Sequence, residues 1–323
     1  MGIPETDHFD GTHFFNPEPS PHSPTRRRAG LLRLIRARMR RDPASWASWP
    51  EHIANKPYPP PDPATPSITW IGHSSFLLCL EGMTVLTDPV FSERCSPVRF
   101  TGPKRVRAPG LSIAALPKID LILLSHNHYD HMDIASLRLI RKRFPAAHIV
   151  TSLGNAAFLK RQRLPGATEL DWWDTTSFHT AHITATPARH FAARTLWDRN
   201  ETLWAGFMLN HRGRKIYFAG DSGYTKFFSE IHHRLGAPDL ALLPIGAYEP
   251  RDMMATAHVN PAEAVRAFQD LRAKRAIGMH FGTFQLTAEA IDTPERDLAI
   301  ARTEAGIPPE AFFTLDVGET ASL

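Results

Sequence analysis

From position 67 onward, apolar residues fall in short runs separated by glycines and polar clusters. Runs at 68–71, 76–80 and 84–87, split by Gly72 and Gly82, predict meandering strands. Leu121-Ile122-Leu123-Leu124 is apolar throughout and ends in a polar cluster, the pattern of a strand buried on both faces. A helix is predicted over 134–144, then a strand at 148–151. Further strands fit 183–186, 215–219 and 240–245. Asn260-Pro261-Ala262-Glu263 marks a helix start: Asn260 can cap, Pro261 suits the first turn, and Glu263 can reach back to the cap. That helix runs to about position 272 and is followed by a strand at 276–279.

Residues 1–66 break this pattern and are read as an N-terminal extension to a domain over 67–323. They are dense in proline, as in Asn16-Pro17-Glu18-Pro19 and Tyr58-Pro59-Pro60-Pro61, which favours extended backbone. Within them lies a segment, 26–41, carrying Arg26, Arg27, Arg28, Arg33, Arg36, Arg38, Arg40 and Arg41 and no acid. On a helical wheel Leu31, Leu32, Leu34, Ile35 and Met39 share a face, with Arg33, Arg36 and Arg40 opposite. Such a basic amphipathic helix either lies on an anionic membrane surface or docks on its own domain.

The 323 residues are 42% hydrophobic and 22% charged, which excludes global disorder. Two cysteines, Cys79 and Cys95, cannot build a disulfide framework, so an intracellular, cytoplasmic chain is expected. No apolar run approaches the roughly 20 residues that span a bilayer, and the polar first residues do not form a secretory signal. The net charge of +4 permits anionic partners. No aromatic stripe interleaves with the arginines, so nucleic acid is not expected.

Seventeen histidines shift attention to metal chemistry. Ser125-His126-Asn127-His128-Tyr129-Asp130-His131 directly follows the buried strand. Ligand sites in open sheets collect beyond the carboxyl ends of strands. Period-two spacing lets His126 and His128 point one way, and a turn can swing Asp130 and His131 to a second point. Two metal sites need further ligands, and His190, Asp221 and His280 each follow a predicted strand. None of the three is compelling singly.

The ordered set resembles the metallo-β-lactamase superfamily. The resemblance extends to its N-acyl phosphatidylethanolamine-hydrolysing phospholipase D branch through Thr87-Asp88-Pro89-Val90-Phe91, Gly102-Pro103-Lys104-Arg105, Asp171-Trp172-Trp173 and Tyr248-Glu249-Pro250-Arg251. His258-Val259-Asn260-Pro261 and His280-Phe281-Gly282-Thr283-Phe284 carry it further. It implies an α/β fold, the αββα sandwich, with a dinuclear site at one edge. Carried onto this chain, His126, His128 and His190 hold one metal, Asp130, His131 and His280 the other, and Asp221 bridges them. Imidazole and carboxylate donors suit two zinc ions best, with iron or manganese open to the same set.

The implied activity is hydrolysis of a phospholipid, N-acyl phosphatidylethanolamine, to N-acylethanolamine and phosphatidic acid. Asp130 then orients the attacking water as well as binding metal, and His258 attends the leaving group. Tyr129 either hydrogen-bonds phosphate or packs under the loop. Asp88 is expected to hydrogen-bond a ligand histidine. Arg189 and Arg251 either hold anionic groups or form ordinary pairs. The alternative is a lactonase or a hydrolase of a soluble phosphorylated metabolite on the same fold. The resemblance also permits a homodimer.

Overall fold

A computed structural model describes residues 4–18 and 46–323, so the basic segment 26–41 lies outside the described residues. The first strands are β1 (Ser67–Gly72), β2 (Ser75–Leu80), β3 (Met83–Thr87), β4 (Leu121–Leu124), β5 (His148–Ser152), β6 (Thr168–Leu170) and β7 (Thr175–Phe178). They are followed by β8 (Ala181–Thr186), β9 (Gly206–His211), β10 (Arg214–Phe218), β11 (Leu240–Pro244), β12 (Arg275–Met279), β13 (Phe312–Phe313) and β14 (Thr320–Ser322). The helices are α1 (Ile134–Arg143), α2 (Asn155–Arg161), α3 (Phe227–Leu235), α4 (Arg251–Met254), α5 (Pro261–Leu271) and α6 (Thr293–Glu304). Every strand and helix read from the sequence from position 67 onward appears within two residues of its expected bounds. Strands β6, β7, β9, β13 and β14 and helices α2, α3, α4 and α6 were not foreseen.

The strands make two sheets, ordered β14-β1-β2-β3-β4-β5-β6 and β13-β12-β11-β10-β9-β8-β7. The first pairs antiparallel from β14 to β3 and parallel from β3 to β6. The second repeats this, antiparallel from β7 to β10 and parallel from β10 to β13. The sheets pack face to face. Leu121 and Leu123 of β4 join Phe76, Leu78 and Val85 in one core with Ile183, Phe207, Leu209 and Tyr217 of the second sheet. Ile122 and Leu124, on the opposite face of β4, pack with Leu137 and Ile140 of α1. The continuous apolar run is thus explained by burial on both sides, and each such side chain contributes roughly 1.5–3 kcal/mol. Helix α5 covers the second sheet through Val265, Phe268 and Leu271. The result is the αββα sandwich.

The capping box at Asn260 forms as the sequence predicts. Its side chain accepts from the Glu263 amide at 2.9 Å, and Glu263 accepts from the Asn260 amide at 3.2 Å. Residues 46–66 carry no regular helix or strand, in keeping with their prolines, and lie along the domain. Trp49 donates its indole N–H to the Glu289 carbonyl at 2.8 Å, and Tyr58 donates to Asp316 at 2.6 Å. Residues 4–18 also lie on the domain, with Phe9 and Phe14 buried in the main core.

Candidate metal centre

The ends of several strands converge on one edge of the sandwich. His73 lies in the turn after β1, Asp88 just beyond β3, and the 126–131 loop beyond β4. From the second sheet, His190 follows β8, Asp221 follows β10 and His280 follows β12. His258 precedes the capped helix α5, where the Val259 amide donates to the Ser222 carbonyl at 2.8 Å. Residues far apart in sequence thus reach one point because strand direction, not sequence distance, sets the edge at which each loop emerges.

Two clusters form there. His126 Nε2 and His128 Nδ1 stand 2.8 Å apart, and His190 Nε2 is 3.2 Å from the same His128 nitrogen. Around Asp130 Oδ2 lie His131 Nε2 and His280 Nε2, both at 3.4 Å, and His73 Nε2 at 3.0 Å. Asp221 Oδ2 sits between the clusters. It is 3.1 Å from His131 and from His280, 3.7 Å from His190, and 3.9 Å from His126 and from His258 Nδ1. Every metal-ligand candidate named from the sequence therefore falls in this centre, and His258 lies beside it.

The chemistry of the donor set fits divalent metal. Burial holds His126 and His190 well below the ordinary histidine range and His128 at about 4, so these imidazoles are neutral lone-pair donors at neutral pH. Three such nitrogens turned on one another repel unless a cation lies among them. Burial would raise Asp130 and Asp221, but the charge of His131, joined at Asp221 by that of His280, outweighs it and holds both carboxylates ionised. His131 Nε2, His280 Nε2 and Asp221 Oδ1 are buried without a hydrogen-bond partner. Buried polar atoms of this kind call for a ligand.

A surrounding shell orients these groups. Asp88 accepts from the Ser125 amide at 2.8 Å and lies 2.7 Å from His131 Nδ1, as the sequence suggested. That fixes the ring with Nε2 inward. His190 Nδ1 lies 2.9 Å from the Ala257 carbonyl, which turns its Nε2 toward Asp221. Three residues here hold left-handed backbone: His73 (φ 55°), Asp88 (φ 30°) and His280 (φ 63°). Such strain costs of order 1–3 kcal/mol each and collects at functional sites.

His73 was missed by sequence reasoning. It is almost fully buried, and its ring centroid is 4.0 Å from that of His280. The signal was present: like the other candidates, it is a histidine just past a strand end. Tyr129 stands to one side, donating to the Arg194 carbonyl at 3.2 Å, with the Arg194 guanidinium 3.9 Å from its ring centroid. Its ring packs on the Val90, Cys95 and Phe284 cluster. Arg251 pairs with Glu263 and donates to the His258 carbonyl at 2.7 Å. Arg189 donates to the Tyr224 carbonyl at 3.4 Å.

A family profile described as a beta-lactamase superfamily domain matches residues 83–281. N-acyl-phosphatidylethanolamine-hydrolyzing phospholipase D 1 of Caenorhabditis elegans is 38% identical over 265 residues, spanning 78% of this chain and 74% of its own length. The mitochondrial N-acyl-phosphatidylethanolamine-hydrolyzing phospholipase D of Saccharomyces cerevisiae is 37% identical over 259 residues, 78% of this chain and 55% of its own. Among solved structures, Igni18, a metallo hydrolase of the archaeon Ignicoccus hospitalis, has a TM-score of 0.59 at 22% identity. It covers 79% of this chain and 97% of that one, a likeness of fold.

Proposed function

The chain belongs to the metallo-β-lactamase superfamily, in the branch of the N-acyl-phosphatidylethanolamine-hydrolyzing phospholipases D, and is a metal-dependent hydrolase; on that premise we propose that it holds two zinc ions and cleaves N-acyl phosphatidylethanolamine. The observation that carries this reading is the ring of five imidazole nitrogens within 3.9 Å of Asp221 Oδ2. His126, His128 and His190 hold one ion, Asp130, His131 and His280 the other, and Asp221 serves both. The donor set suits zinc, and iron or manganese would use the same atoms. When bound, such a pair supplies an acidified water and positive charge for in-line displacement at phosphorus.

The protein groups do the rest. Asp130 fixes the direction of the attacking water. Attack forms a new phosphorus–oxygen bond, and the bond from phosphorus to the ethanolamide oxygen breaks, leaving phosphatidic acid. His258, lowered by burial to about 4 and so neutral, takes the proton that the attacking water gives up and delivers it to the departing ethanolamide oxygen. Tyr129, within the 126–131 loop and with its hydroxyl on the Arg194 carbonyl, shapes the approach of the phosphate from the side.

The rim supports a lipid substrate. Arg194 ties the 191–200 loop to the metal loop by donating to the Asn127 carbonyl at 2.6 Å and the Met132 carbonyl at 2.9 Å. That loop exposes Leu196 and Trp197, and the 94–105 loop exposes Phe100. Apolar tips beside arginines suit a cytoplasmic protein working at the anionic inner face of a membrane. No helix among the described residues is long and apolar enough to cross one.

Mass spectrometry of products tests the substrate. Micellar N-acyl phosphatidylethanolamine is expected to yield N-acylethanolamine and phosphatidic acid in equal amounts. Turnover confined to lactones or bis-p-nitrophenyl phosphate would replace the lipid reading with a soluble-substrate hydrolase. The shell around the ions has its own expected effect. Asp88→Asn weakens zinc binding by about 10–100-fold, measured by chelator competition; unchanged affinity would show that His131 needs no carboxylate behind it.

A further inference from the structure

His190 is the candidate ligand with the least local support. Residues 187–200 form no helix or strand, so the backbone around it has no ladder to join. The partners come from the other end of the chain. The Asn16 side chain donates to the His190 carbonyl at 2.9 Å and accepts from the His190 amide at 3.2 Å. One carboxamide thus takes both backbone groups of a single residue, as a neighbouring strand would.

The segment bearing Asn16 is itself firmly docked. Phe14 is 1% exposed, its amide donates to the Asn200 carbonyl at 2.8 Å, and Asn200 returns a bond to the Phe14 carbonyl at 3.0 Å. Upstream, the His8 ring stacks on Trp172 at 4.2 Å with Nε2 2.7 Å from Asp171. Downstream, Thr225, four residues past Asp221, donates to Glu18 at 2.8 Å. The strap therefore runs from Trp172, across His190, to the loop that follows Asp221.

We propose that this N-terminal strap is part of the metal centre, with Asn16 a positioning residue that fixes the backbone of His190 so that its ring presents Nε2 to the ion. The Ala257 carbonyl sets the rotation of the ring, and Asn16 sets where the ring starts. Both are needed, because a ligand on an unpaired loop spends part of its time away from the ion. The inference rests on the reading of His190 as a metal ligand.

The test compares the full-length chain with Asn16→Ala, using zinc affinity by chelator competition and the visible absorption of the cobalt(II)-loaded protein. Affinity for one of the two ions is expected to fall about 10–100-fold, as when other outer partners of ligands are removed. The cobalt spectrum is expected to change with it. A role in packing alone would lower the melting temperature but leave affinity and spectrum as in the parent, and that result overturns the proposal. Asn16→Asp keeps the acceptor for the His190 amide and loses the donor to its carbonyl. It carries the same comparison should Asn16→Ala not fold, and unchanged affinity there is equally fatal. A parent chain that takes up no metal would instead overturn the reading of His190 itself.

Discussion

Asp221→Asn protein is expected to lose about 10³-fold or more in phosphatidic acid release while keeping its fold. The carboxylate reaches both clusters, with His131 and His280 at 3.1 Å and His190 at 3.7 Å. Removing its charge leaves the imidazoles in place but, on the proposed two-ion reading, would take away the negative centre between the two cations. The variant should also carry fewer zinc ions per chain by elemental analysis. Equal product from parent and variant would mean that the centre around Asp221 is not the catalyst.

Gly220→Ala is the second large effect, and it acts through geometry alone. Gly220 has φ +59°, and a Cβ there would lie 2.7 Å from the Ser125 Cβ and 3.0 Å from the Ala205 carbonyl oxygen. Ser125 cannot yield easily. Its amide and hydroxyl both bond Asp88, and its carbonyl accepts from Ala205 and Ser152. Left-handed strain and overpacking together should cost about 2–4 kcal/mol. The same push separates Asp221, one residue on, from His126, one residue past Ser125. A shift near 1 Å at such a site costs about 100-fold in rate. Gly82→Ala is the comparison: its φ is +81° with nothing within 4 Å, so only backbone strain is added. Denaturant melts and kcat on both variants check this, and a fully active, fully stable Gly220→Ala would refute it.

These two sites differ in how they could be read. Asp221 was legible because an acid directly after an apolar strand, in order with the 126–131 loop, matches a family pattern. Gly220 carried no such signal. Its need for the absence of a side chain arises only when the β10 loop meets the β4 loop across two sheets. Strands β13 and β14 were illegible for a related reason. They have two and three residues, too few for a period to show, and exist because β12 and β1 offer them an edge. Strand β9 is long enough, but its register is set by β8 and β10 on either side.

The sequence by itself determined the interior strand β4, the capped start of α5, and the kinds and order of the metal-seeking side chains. These depend on periodicity, on contacts within four residues, and on residue chemistry, all of which are local. Only the tertiary structure brought His73 to Asp130, turned the Tyr129 hydroxyl to Arg194, and laid Asn16 against His190, 174 positions away. Such contacts are decided by where strands end and how irregular chain crosses their edge. Hydrogen bonds of that kind leave no repeating pattern along the chain.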